Sequence, residues 1–215
     1  PGSTVHPTST PTPSPTAQLP VALLPVGTLL YGTTLPGCDN NTQKGLWSFS
    51  QNANITCNSS GTELADTNQT YSAGAYLDKF PDGSGIPDDY VLQVQVKANS
   101  ISRGGFGIFF RNQPDLIQQR TFSFLLFPRG RWEANVYNDT TGKRSLLFGD
   151  HTTTHLNGLV TIDIVVHGKV FNFYLNGKYQ GQAVSPLYPS GTVGLAVDVG
   201  ADVYFKNLAI YALSN

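Results

Sequence analysis

Residues 159–181 read LVTIDIVVHGKVFNFYLNGKYQG. Taken in steps of two, Val160, Ile162, Ile164 and Val166 share one face, while Thr161, Asp163 and His167 fall on the other. That is the alternation of a half-buried β-strand. Gly168 sits at a reversal, after which Phe171, Phe173 and Leu175 line one face of a returning strand. Asn176-Gly177 follows, the dipeptide best able to take the two positive φ angles of a type I′ hairpin turn. Three consecutive antiparallel strands are therefore expected, and they set an all-β class.

Further strands appear on either side. In residues 90–98, YVLQVQVKA, Leu92, Val94 and Val96 alternate with Gln93, Gln95 and Lys97. GGFGIFFRN (104–112), RTFSFLLFP (120–128) and RWEANVYN (131–138) follow at the spacing of a sandwich. After the hairpins, Val193, Leu195 and Val197 share one phase of TVGLAVD. In the closing VYFKNLAIYAL, Val203 and Phe205 share a phase that Leu208 and Ile210 do not, so a bulge near Lys206-Asn207 is expected. No amphipathic helix longer than a turn or two, and no long repeat, is visible.

Of the 215 residues, 40% are hydrophobic, enough for a sizeable core, yet only 13% are charged. That is about half the usual share, so solvated faces must rest on Thr, Ser, Asn, Gln and Gly, as in secreted β-proteins. A net charge of −1 without a basic patch argues against nucleic acid and anionic membranes as partners. The opening PGSTVHPTSTPTPSPTAQLP suits polyproline II or extended coil. Residues 1–26 are read as a tail or stalk, and residues 27–215 as one sandwich domain. From Leu19 to Leu30, LPVALLPVGTLL is apolar but broken by Pro20 and Pro25, and too short to span a bilayer. Leu19, Val21, Leu23 and Leu24 could cover the domain's own surface or add as a strand to a neighbouring copy. A start on Pro-Gly with no Met leads us to expect a processed chain whose targeting signal has been removed.

Cys38 and Cys57 have no C-x-x-C spacing and no His nearby, which favours one disulfide in an oxidising compartment over a metal site. N-x-S/T sequences at Asn40, Asn54, Asn58, Asn68 and Asn138 mark solvent-facing loops and candidate glycosylation positions.

YVLQVQVKA, GGFGIFFRN, FNFYLNGKYQG and the terminal GTVGLAVDVGADVYFKNLAIYAL resemble the concanavalin A-like lectin/glucanase jelly roll. Within it they are similar to laminin-G-like and DUF1080-type (3-keto-disaccharide hydrolase-like) domains of bacterial extracytoplasmic proteins. The resemblance covers residues 27–213 and implies a two-sheet antiparallel jelly-roll sandwich. It does not fix a function, since this fold hosts lectins, glycosidases, sensors and structural modules. The jelly-roll glucanases carry their carboxylates on one strand as E-x-D-x-E. The two Glu of this chain, Glu63 and Glu133, have no such neighbours, so hydrolysis is not expected.

Glu133 shares a strand phase with Arg131, Asn135 and Tyr137, whereas Trp132 falls in the core phase with Ala134 and Val136. Arg111, Arg120, Glu133, Asn135 and Tyr137 are the candidates for a ligand groove on a sheet face; a solvated outer face is the plainer alternative. Metal ligands are not expected. Asp82, Asp88 and Asp89, or Asp198 with Asp202, could hold a structural Ca2+, but turns favour Asp for local hydrogen-bonding reasons. His151 and His155 in GDHTTTH are read as loop residues. Together these readings lead us to expect an exported, non-catalytic module at the cell surface that binds a glycan. The alternative is a structural subunit whose N-terminal segment packs on the next copy, and a glycoside hydrolase-like enzyme ranks third.

Overall fold

The computed structural model describes residues 24–38, 46–66, 72–101, 104–113, 120–138 and 143–214. In chain order the strands are β1 (Val26–Thr33), β2 (Trp47–Phe49), β3 (Ala53–Asn58), β4 (Gly61–Asp66) and β5 (Ala73–Leu77). There follow β6 (Tyr90–Ile101), β7 (Phe106–Asn112), β8 (Thr121–Leu126), β9 (Arg131–Asn138) and β10 (Lys143–His151). The chain closes with β11 (Val160–His167), β12 (Val170–Leu175), β13 (Lys178–Val184), β14 (Thr192–Val197) and β15 (Ala201–Leu213). Among the described residues the one helical element is the 3-10 turn Pro128–Gly130, and no helix is long and apolar enough to cross a membrane.

All pairings are antiparallel and make two sheets. One runs β13-β12-β11-β6-β15-β4-β3, with β1 also paired to β15; the other runs β10-β9-β8-β7-β14-β5-β2. The expected hairpins of residues 159–181 form an end of the first sheet, and Asn176 (φ 50°) and Gly177 (φ 73°) make the tight turn. The alternating apolar phases face each other between the sheets. Ile162, Ile164, Val166, Phe171 and Phe173 from one meet Phe110, Phe122, Phe124 and Trp132 from the other, all essentially inaccessible to water. Ring centroids of Phe124 and Phe173 lie 4.8 Å apart, as do those of Phe122 and Phe171. Each such ring contributes about 1.5–3 kcal/mol by burial. Gly181 marks a close approach at the sandwich edge: a Cβ there would lie 2.6 Å from the Phe148 ring and 2.9 Å from Trp132.

The irregularity expected near Lys206-Asn207 is present. The β15–β6 register shifts between Lys206 and Ala209, and Asn207 takes φ 51°, so Val203, Phe205, Leu208 and Ile210 are all buried. Cys38 and Cys57 are disulfide-bonded with Cα atoms 5.8 Å apart, tying the turn after β1 to edge strand β3. Two readings need correction. Gly149 to His151 finish β10 rather than belonging to a loop, because they pair with Glu133 to Arg131 of β9. Asn54 and Asn58, in β3, and Asn138, the last residue of β9, lie in strands, not in loops. Asn40, Asn68, Leu19, Val21 and Leu23 fall outside the described residues; Leu24 is half-buried just before β1.

Candidate functional site

Strand β9 positions the best cluster of polar side chains. Its even phase enters the core, so Arg131, Glu133, Asn135 and Tyr137 stand on the outer face of the seven-stranded sheet. The ladders set Glu133 between Leu125 of β8 and Gly149 of β10, Asn135 between Ser123 and Leu146, and Tyr137 between Thr121 and Arg144.

This outer face is not simply solvated. Tyr76, Phe109, Leu125, Phe127 and Ala196 form a second buried apolar cluster, separate from the main core. Tyr76 and Phe109 stack with centroids 5.6 Å apart. They lie low because Gly74 and Gly194 leave room: a Cβ at Gly74 would fall 2.6 Å from Tyr76 Oη, and one at Gly194 would fall 2.9 Å from the ring.

A chain of charges crosses this floor. Arg131 pairs with Glu133 Oε1. Arg144 Nη2 donates to Glu133 Oε2 at 3.1 Å, and its Nη1 to Asp198 Oδ2 at 3.2 Å. Ser72 Oγ donates to Asp198 Oδ1 at 2.5 Å, and the Arg131 guanidinium lies 4.1 Å from the centre of the Phe127 ring. Side-chain exposure falls from 47% at Arg131 and 29% at Arg144 to 17% at Asp198 and 12% at Glu133, so the carboxylates are recessed beneath the guanidiniums. Burial works against the charge of Arg144, but Tyr137 and Asp198 favour it and prevail, holding the guanidinium above its ordinary value. Burial likewise pushes the Tyr76 hydroxyl far up, and Tyr137 adds to the shift. Two cations and two carboxylates fixed against each other offer many oriented hydrogen-bonding groups beside an apolar floor.

Of the expected groove residues, Glu133, Asn135 and Tyr137 come together. Arg120, half-buried, precedes β8 beyond the Tyr137 end, where its carbonyl accepts from Gln113 N. Arg111 does not join them. A register shift in the β7–β14 ladder leaves it unpaired there, and φ 49° carries its side chain to the end of the sandwich, over the Phe171 ring at 5.2 Å. Alternation within a strand fails at such a bulge. Arg144, Ser72 and the aromatic floor were not anticipated, and Asp198 was considered only for Ca2+. In KRSLLFGDH, Arg144 and Leu146 share a strand phase, and the register shift after Leu146 breaks the alternation that would have marked β10.

Asp82 serves its own turn, with Oδ1 accepting from the amide and hydroxyl of Ser84; those bonds lower its pKa. Among the described residues no group of three or more His, Cys, Asp or Glu side chains could hold a metal. His155 lines a separate shallow cleft with Arg129 and Thr152 to Thr154.

No protein-family model matches the chain, and no curated protein matches it in sequence. Solved structures do. A Bacillus subtilis protein of unknown function with a galectin-like fold superposes with a TM-score of 0.69 at 11% identity, over 88% of this chain and 99% of its own. The fold is the concanavalin A-like jelly roll. The carbohydrate-binding module CBM66 from Bacillus subtilis shares this jelly roll with a TM-score of 0.63 at 15% identity, over 78% of this chain and 96% of its own. So does the catalytic domain of a Thermotoga petrophila endo-1,3-beta-glucanase (laminarinase), at 0.58 and 9% identity, over 87% and 98%. At these identities the likeness establishes the jelly roll alone.

Proposed function

We propose that this chain is a non-catalytic glycan-binding module, exported to the cell surface or beyond, that receives its ligand on the outer face of the seven-stranded sheet. The observation that carries the reading is the charge chain Arg131–Glu133–Arg144–Asp198 held over the Tyr76–Phe109–Phe127 floor. Sugar hydroxyls both donate and accept, and groups already fixed by their neighbours bind them with little ordering cost. The CBM66 likeness supports a carbohydrate ligand, and the disulfide suits an oxidising compartment. The case against hydrolysis is chemical. Glycosidases need one carboxyl free to donate a proton, whereas Glu133 and Asp198 share one guanidinium. Screening the chain on a glycan array tests the reading. Binding should appear and should fall about tenfold or more in Arg144→Ala, the scale for removing one partner of a hydrogen-bonded charge pair. No binding on a broad array, or hydrolysis lost in Glu133→Gln, would sink it.

A second reading, assembly of copies through the N-terminal segment, is favoured by one observation. β1 pairs only with β15 among the described residues and exposes Val26, Leu29 (54%) and Leu30. An open apolar edge strand is a template for another chain. Light scattering on the full chain and on a version starting at Val26 decides it: oligomers only in the former support assembly, and monomers in both remove it.

A further inference from the structure

At the end of the sandwich away from the charge chain, four segments enclose a cleft of about 430 Å3. Asp88 and Asp89 come from the entry to β6, Arg111 from the bulged end of β7, Gly168 and Lys169 from the β11–β12 turn, and Ser185, Pro186 and Pro189 from the β13–β14 connection. The walls are pinned. Gly168 N donates to Asp89 Oδ1 at 2.7 Å and Ser185 N to the Lys169 carbonyl at 2.9 Å. Arg111 lines the cleft, although its side chain is only 2% exposed. It carries five N–H donors, yet its hydrogen bond is the single one from Nη2 to the Asp88 carbonyl at 2.9 Å. Its Nε has no partner, and Asp89 stands 3.9 Å from Nη2, beyond hydrogen-bond reach. The Tyr90 hydroxyl is buried beside Arg111. His167, exposed, lies 3.8 Å from Asp89.

A buried cation with unused donors is costly unless something accepts from it. We propose that this cleft is a subsite for a carboxylate-bearing sugar, a uronic acid residue, whose carboxylate sits on Arg111 and Lys169. The planar guanidinium matches a carboxylate fork. Asp88 and Asp89 accept hydroxyls of the same ring, and Pro186 and Pro189 present C–H surface to its apolar face. A metal cation is opposed by Arg111, and a doubly charged phosphate by the two aspartates. The inference rests on the glycan-binding reading for its ligand class, but concerns a different site.

The test is an amide-shift titration of the full chain with D-glucuronate, D-glucose and acetate. Glucuronate should saturate shifts at Gly168, Lys169 and Ser185, with glucose and acetate at least about tenfold weaker. Arg111→Gln should abolish the effect. Because that core residue bears on folding, exposed Lys169→Glu is the second variant and should weaken glucuronate about tenfold. No shifts with glucuronate, equal binding of glucose or of acetate, or an unchanged Lys169→Glu, overturns the subsite. Shifts confined to Gly107 and Ala196 would overturn it too, while leaving the sheet-face reading intact.

Discussion

Asp163 shows how much can hang on one residue. It lies in the outward phase of β11, yet is almost fully buried, with Gln93 Nε2 donating to its Oδ1 at 2.7 Å. Burial raises its pKa and the Gln93 bond only partly offsets this. A carboxyl raised in the folded state stabilises below its unfolded value, near 3.9, and loses that contribution as pH rises through the folded value. Asp163→Asn is therefore expected to raise stability by the order of 1 kcal/mol at neutral pH, with the gain vanishing in acid. Thermal melts across that range check it. The same scale explains what the sequence hid. Glu133, Asn135 and Tyr137 follow from alternation, but Arg144 reaches Glu133 from 11 positions away, and Asp198 meets Arg144 from 54. No local pattern encodes that meeting, and the positive φ of Arg111 is equally silent.

At the scale of the element, long strands with clean alternation were readable, because period-2 burial writes itself into the residues. β5, whose five residues are all buried, and β10, which carries a register shift between Leu146 and Phe148, were not. The bend that obscures β10 also brings Phe148 against Trp132 and Gly181. Gly181→Ala should therefore push β13 off β10 and cost about 1–3 kcal/mol in a urea titration, as overpacking does. The disulfide holds a sparse region, where β3 is largely exposed. With its cysteines 19 positions apart, replacing both by Ser should cost about 3 kcal/mol in the same assay.

At the scale of the whole molecule, the sandwich was legible in its runs of consecutive hairpins, β11 to β13 in one sheet and β7 to β10 in the other, whereas β6, β14 and β15 pair across the sequence. The ligand was not, because the jelly roll fixes where faces lie and leaves their chemistry to side chains. The second apolar cluster on the outer face has one more consequence. β7, β8 and β14 are buried along their whole length, covered by the core on one side and by that cluster on the other. Their amides should be the last to trade hydrogen for deuterium, opening only on global unfolding. Those of β1 and β3 should trade early. A time course by mass spectrometry would then divide the molecule along its sequence into a slow slab and a fast one.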